Sequence, residues 1–470
     1  RGDNSAYVFE RNASTWSLHE NLTASDGVAG DNFGFSVMIV GDYAIVGAIY
    51  GDSAVTDAGS AYVFKRNGTS WSEESILTAS NAVNSDYFGH SVAIYGDYAI
   101  VGAPYKNSYI GAVYIFKRSG TSWTQQTEII TSDGGSSDFF GTSVAIHGGY
   151  VFAGAFGDDD GGTNTGAAYI YTAENILPKL TFDTYNKLSI ENITPTSTTL
   201  RLDSNTYDIG TATDIYIEDA GTYEIETKDA NTFALVSNVV GTVTQVDAVY
   251  DYTQVDTTEQ QITATNAATG DKFNDTAIDG DYAIVGAIGV DSGKGAAYIF
   301  VRNTTTGTWF EQKKLTADDG EAGDALGRAV AIDGDYAVTM SINDDDDVTN
   351  SGALYIFKRD TTTGNWSQHQ KLKASDPGED DSFGYSVNIS GDYIITGAQY
   401  NDDTYTNSGS AYIYTRDPST GQWGSEQKLT ATDAAQDDYF GSTTTISGGY
   451  AFVGARGDDD NSVSGSGSVY

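Results

Sequence analysis

The stretch Phe33-Gly34-Phe35-Ser36-Val37-Met38-Ile39-Val40-Gly41-Asp42-Tyr43-Ala44-Ile45-Val46-Gly47-Ala48 decides how the rest of the chain is read. Two apolar runs of strand length flank a Gly-Asp turn, which is the pattern of a β-hairpin. The same arrangement occurs seven times, led by Phe33, Phe88, Phe140, Phe273, Leu326, Phe383 and Phe440. Two copies are imperfect: Asn274 follows Phe273 in place of Gly, and Leu326 stands in place of Phe. Successive leads are 55, 52, 133, 53, 57 and 57 residues apart. A fixed period of this length is the mark of a repeat array, and the one long interval predicts a single insertion.

Each unit reads as four strands. The first follows the Phe-Gly pair and the second follows the Gly-Asp-Tyr or Gly-Gly-Tyr turn. The third carries an equivalent tyrosine, at Tyr62, Tyr114, Tyr169, Tyr298, Tyr355 and Tyr412. The fourth begins near a tryptophan. All six tryptophans of the chain, Trp16, Trp71, Trp123, Trp309, Trp366 and Trp423, fall at that one position. Such placement predicts an outer-strand packing residue between units rather than a ligand platform.

Four-stranded units repeated seven times predict an all-β, seven-bladed β-propeller, because a ring removes the apolar end faces that an open stack would expose. The closure is expected to be shared. The chain starts inside a third strand at Ala6-Tyr7-Val8-Phe9 and ends with first and second strands from Phe440 to Ala455. The two termini therefore pair in blade seven. Ser468-Val469-Tyr470 is a further copy of the start of strand three, and one copy is surplus. The expected division is 1–176 for the first part of the propeller, 177–246 for an insertion in blade three, and 247–470 for the remainder. The insertion has short alternating strands between turn residues, from Leu180–Phe182 to Gly241–Thr244, and is expected to be a small immunoglobulin-like β-sandwich.

A formal charge of −41 sets the chain against nucleic acid and anionic lipid, both polyanions. Solubility under high salt or crowding explains such a charge, and so does cation binding by clustered carboxylates. Cysteine is absent, which removes disulfides, thiol nucleophiles and cysteine metal sites. No apolar run is long enough to span a bilayer. The first residue is Arg1, so the N-terminus is expected to be a processed or partial end.

The alternation of Phe-Gly and Gly-Ala with an acidic loop, complete in Gly102-Ala103-Pro104, resembles the FG-GAP repeat family. That family forms the propeller of integrin α-subunits and recurs in secreted proteins. The resemblance implies an extracellular location, and binding or structural work more than catalysis. It also implies calcium in the loop after Gly-Ala-Pro, where integrin-type repeats carry Asp-x-Asp-x-Asp-Gly-x-x-Asp. The corresponding residues here are Asp158, Asp159 and Asp160, Asp344 and Asp346, Asp402 and Asp403, and Asp458, Asp459 and Asp460. Their spacing departs from the family's alternation. Consecutive aspartates do not all face one point, whereas calcium takes about six to eight converging oxygens. A solvated turn in which aspartate caps backbone amides is the competing reading.

Asp31, Asp86, Asp138, Asp271, Asp324, Asp381 and Asp438 each precede the lead residue by two, and are expected to accept amide hydrogen bonds in the turn between blades. Arg1-Gly2-Asp3 and Arg456-Gly457-Asp458 spell an integrin-ligand tripeptide that recurs easily by chance. Asn-x-Ser/Thr sequons stand at Asn12, Asn21, Asn67, Asn192, Asn274, Asn303, Asn365 and Asn388. Asn12, Asn67, Asn303 and Asn365 fall in the hairpin between strands three and four, on the expected outer rim, where a glycan would be accommodated. The four histidines, His19, His90, His147 and His369, form no recognisable constellation, and no nucleophile, phosphate-loop or zinc motif is present.

The functional expectation is a non-catalytic, secreted structural or adhesive protein, self-associating as a subunit of a surface filament or sheath, or held to extracellular protein or glycan. The alternatives are a calcium-dependent adhesion module for protein or glycan, and a carbohydrate-active propeller enzyme.

Overall fold

A computed structural model describes residues 5–28, 30–173, 257–346 and 348–457, together with strands between 180 and 248 and at 468–469. Of 5–7, 173, 257–258, 274, 468–469 and the strands between 180 and 248, only the backbone is described. The propeller and the inserted segment are two separate compact units.

The propeller has seven sheets; six are four-stranded, antiparallel and ordered in sequence from inside to outside, and the seventh is completed by both ends of the chain. Blade one runs Phe33–Val40, Tyr43–Ala48, Ser60–Asn67, Ser70–Leu77. In blade three the third and fourth strands, Ala167–Ala173 and Thr257–Ile262, lie either side of the insertion in sequence yet are neighbours in one sheet. The innermost strands touch one another in a closed cycle: Phe33–Val40, Ser91–Tyr95, Val144–His147, Phe273–Asp279, Leu326–Asp333, Val387–Ser390, Phe440–Ser447, and back to the first. Seven blades close the ring.

The termini meet in one blade. Tyr7–Glu10 pair antiparallel with Val453–Tyr450, in the register other blades use. Both copies of the strand-three start are accommodated. Ser468 and Val469 pair antiparallel with Ala455 and Gly454, and lie parallel to Ser5 and Ala6 on their other side. They thus hold the two positions that Ser60 and Ala61 hold against Ala48 and Gly47 in blade one.

The two halves of the repeat motif depend on each other. A Cβ on Gly47 would lie 2.0 Å from the carbonyl oxygen of Gly89, and Gly89 itself has φ +91°. The glycine of Gly-Ala in one blade therefore meets the glycine of Phe-Gly in the next, at a distance no side chain allows. Blade five has lost the first glycine; the buried Met340 stands there and packs towards Gly384.

Between blades, each tryptophan that begins an outer strand is buried against the preceding blade. Trp71 meets Phe452 edge-on at 5.3 Å, Trp309 meets Phe152 at 5.0 Å, and Trp423 meets Tyr336 at 5.9 Å. Such pairs contribute ~1 kcal/mol beyond the area they bury. An arginine ending strand three adds a clamp. Arg66, Arg118, Arg359 and Arg416 each bond the turn aspartate of their own blade (Asp42, Asp97, Asp335 and Asp392). Each also lies over a tyrosine of the preceding blade, 4.3–5.0 Å from the ring centre. Within a blade the lead phenylalanine packs on the strand-three tyrosine, as in Phe33–Tyr62 at 5.3 Å and Phe383–Tyr412 at 5.3 Å.

In the inserted unit, five strands form one sheet, ordered Leu180–Phe182, Leu188–Glu191, Thr232–Leu235, Gly221–Asp229, Asp214–Ile217. Three more, Asn205–Asp208, Thr199–Leu202 and Val246–Ala248, form a second. The expected strand Gly241–Thr244, and the face-to-face packing of an immunoglobulin-like sandwich, lie outside the described residues. Among the described residues no helix is long and apolar enough to cross a membrane.

Candidate functional site

The seven periodic aspartates do structural work. Each is buried and accepts the backbone N–H three residues before it, as Asp31 does from Val28 at 2.9 Å and Asp271 from Ala268 at 2.8 Å. The same acceptance occurs at Asp86, Asp138, Asp324, Asp381 and Asp438. Burial pushes the Asp31 carboxyl up to about 6, against the pull of the Val28 amide.

The acidic loops after Gly-Ala differ from blade to blade. In blade five the ammonium of Lys371, from the outer strand, stands among Asp319, Asp344 and Asp346 at 2.9, 2.7 and 2.6 Å. In blade six Lys428 bonds Asp376 at 2.6 Å and also Asp403. In both loops the positive charge is supplied by the chain. In blade three the corresponding residue is Gln261, whose amide reaches Asp160 at 3.3 Å and the Tyr169 hydroxyl at 3.1 Å. There Tyr169 donates its hydroxyl between Asp133, at 3.0 Å, and Asp158, at 2.6 Å. Burial, joined by the nearby Asp160, holds the Asp133 carboxyl above its ordinary range. At the equivalent Asp319, Lys371 overcomes the opposing effect of burial and holds the carboxyl below it.

The second aspartate of these loops closes the loop on itself. Asp159 accepts Asn164 N–H and Asp402 accepts Asn407 N–H, each at 2.7 Å. The donor sets of blades five and six, with an ammonium at their centre, therefore do not fit calcium. In blade three the described residues place the Gln261 amide, not an ammonium, against the loop oxygens. Among the described residues no group of three or more His, Cys, Asp or Glu is arranged to hold a metal ion. Asp458, Asp459 and Asp460 lie outside the described residues.

Asn12, Asn21, Asn67, Asn303 and Asn365 are exposed. Asn388 is not placed like them: it lies half-buried in an innermost strand, and its side-chain oxygen accepts Ile446 N–H of the next blade at 3.2 Å. Asn192, and the side chain of Asn274, lie outside the described residues.

The residues that differ most between blades gather at one end of the central channel. The position after each Phe-Gly pair carries Phe35, His90, Thr142, Asp275, Arg328, Tyr385 and Ser442. Phe35 and His90 rings lie 5.0 Å apart, and Arg328 donates to the Tyr385 hydroxyl at 3.4 Å. Burial lowers the His90 imidazole to about 4; Arg328, from blade five, also lowers it across the channel, so the imidazole is neutral near pH 7. Burial raises Asp275 to about 6, with Arg328 opposing. Sequence reading passed over this ring because no two of its members are adjacent in the chain. Its signal was available: one variable position directly after a repeated pair.

Beside the channel mouth runs a belt of aromatic rings from blades one to three. Tyr50 and Tyr87 are 5.1 Å apart, Tyr87 and Tyr105 4.4 Å, and Tyr105 and Phe139 5.5 Å. Tyr109 joins Phe139 at 5.6 Å, and Phe139 stacks on Phe156 at 4.7 Å with 11° between planes. Tyr109 is 47 % exposed. The residue before each lead phenylalanine has a left-handed backbone, from Asn32 (φ 55°) to Tyr439 (φ 58°). Asn tolerates that conformation, whereas Tyr87, Phe139 and Tyr439 adopt it under strain.

A closed ring of seven such sheets with these loops defines a β-propeller built of FG-GAP-type units. The sequence matches the FG-GAP repeat at residues 16–64, 71–116, 123–171, 257–300, 309–357, 366–414 and 423–470, and the chain belongs to that family. Each match runs from the outer strand of one blade through the third strand of the next. No curated protein sequence matches the chain. Among solved structures, Saccharomyces cerevisiae Sqt1 is similar at 8% identity over 100% of this chain and 99% of that one, with a TM-score of 0.40. A putative 6-phosphogluconolactonase from Bacteroides uniformis is similar at 12% identity over 83% of this chain and 96% of that one, with a TM-score of 0.36.

Proposed function

We propose that this propeller is a non-catalytic structural or adhesive element of an extracellular surface, making its contacts with glycan, protein or a second copy of itself through the aromatic belt. The observation that carries the reading is the belt itself: six rings from Tyr50 to Phe156, contributed by three successive blades, gathered side by side. Large partly exposed rings supply contact area at small entropic cost, which suits adhesion. The exposed sequons on the outer hairpins agree with an extracellular setting.

The test compares the wild type with Tyr109→Ser and Phe156→Ser. Binding to a neutral-glycan array and self-association in particle images are expected in the wild type, with a tenfold or greater loss in the variants. Isolated discs at high concentration that also bind no glycan would sink this reading.

A calcium-dependent adhesion module is the second reading, favoured by one observation: Gln261 replaces the lysine in blade three. Asp133, Asp158 and Asp160 would have to turn their oxygens inward around the Tyr169 hydroxyl to hold the ion, and calcium there would brace the loop. Melting curves with calcium and with chelator separate the readings, since a site that binds shifts the midpoint with ion concentration.

A further inference from the structure

Arg11, Arg66, Arg118, Arg302, Arg359 and Arg416 all stand at one repeat position, the end of the third strand. Arg328 and Arg456 do not, and both come to Tyr385. The guanidinium carbon of Arg328 lies 5.2 Å from the Tyr385 ring centre, and that of Arg456 lies 6.0 Å from it and 5.2 Å from Tyr439. Tyr400 completes the group, edge-on to Tyr385 at 6.1 Å and to Tyr439 at 5.8 Å. Two guanidinium groups on one phenol repel each other, and Asp275 faces Arg328. Burial works against ionisation of the Tyr385 phenol, yet Arg328 and Arg456 together hold it below its ordinary range.

Gln399 is the second sign. It occupies the third position of the blade-six Gly-Ala motif, where blades one to three carry Ile49, Pro104 and Phe156. Its side chain is fully buried near the Tyr385 hydroxyl, and neither amide atom completes a hydrogen bond of ordinary geometry among the described residues. A buried amide whose contact with the Tyr385 hydroxyl is poorly aligned is left short of hydrogen bonds, which a ligand hydroxyl or carboxylate would supply.

We propose that Arg328, Arg456, Tyr385 and Gln399 form a binding site for a carboxylate carried on a sugar ring, that is, a uronic acid residue. Guanidinium groups match the fork of a carboxylate. Arg456 lies over the Tyr439 ring and Tyr400 stands edge-on to that ring, so a pyranose carried on the bound carboxylate would lie against the rings that flank the guanidinium. A chain of net charge −41 repels long polyanions, which favours a singly charged residue over a charged polymer. The site lies in blades five to seven, apart from the aromatic belt of blades one to three, and stands whether or not that belt is adhesive.

Ligand-observed NMR titration with methyl glucuronide, methyl glucoside and acetate at 150 mM salt tests it. The glucuronide is expected to bind at least tenfold more tightly than the glucoside or acetate, and to lose that margin in both Arg328→Gln and Arg456→Gln. The thermal unfolding midpoints of both arginine variants, expected to stay close to that of the wild type, guard against a folding defect. Equal binding of glucuronide and glucoside, acetate as tight as glucuronide, no binding at all, or full binding in either arginine variant would each overturn the proposal.

Discussion

Gln261 holds in blade three the place that Lys371 holds in blade five: each reaches from the outer strand to the strand-three tyrosine and the third acidic residue of the loop. One residue decides whether the acidic loop meets an ammonium or an amide. Lys371→Gln is expected to destabilise the propeller by about 2 kcal/mol, because Asp344 is buried and loses its charged partner. Gln261→Lys is expected to raise the melting temperature and to bring the Asp133 titration down. Thermal unfolding and carboxyl NMR titration check both.

Lys106 and Asp86 form a buried ion pair at 2.7 Å, with Lys106 also donating to the Asn81 carbonyl at 2.6 Å. In blade six Asn401 does the same for Asp381 at 3.0 Å. Lys106→Met leaves the carboxylate buried without a countercharge, at a cost of ~3–5 kcal/mol. Lys106→Asn is expected to recover most of that loss. Urea midpoints for the two variants measure the difference.

Gly47→Ala is expected to cost about 3 kcal/mol, near the upper end for overpacking, because backbone meets backbone and no rotamer relieves it. Gly41→Ala, in an open turn with φ +60°, pays only for the left-handed backbone and should lose about 1 kcal/mol. A smaller loss at Gly47 than at Gly41 would show that the blades slide apart more easily than their packing suggests.

The pH dependence has two wings. Asp31, raised to about 6 in the fold from about 3.9 when unfolded, favours the folded state below the unfolded value, and this contribution is lost as pH rises through 6. Asp138, Asp324 and Asp381 are raised by the same burial and act in the same direction. Asp319 and Asp376, held low by Lys371 and Lys428 against burial, contribute above the unfolded value and lose it as pH falls through their folded one. Stability should therefore peak between about pH 4 and 5, and Asp31→Asn should flatten the decline towards pH 7. Chemical denaturation across that range checks the slope.

What could be read along the chain was whatever recurs at a fixed interval. Seven lead residues, six tryptophans at one position and seven aspartates two before the lead are local facts, and each had its expected role when the blades were seen together. The partner of each lay in the same blade or the next, a distance set by the period itself.

Tertiary structure alone decided what the non-repeating residues do. Lys371 fills an acidic loop whose members lie 25 and 52 positions away, so a loop read by itself looked open to a metal. His90 and Arg328 come from different blades, and Arg328 and Arg456, from blades five and seven, both come to Tyr385 of blade six. Sequence determines a repeat through short-range pairing, which is the same in every copy. The channel and its mouth arise from bending those copies into a circle, and only that curvature brings unlike residues to a common point.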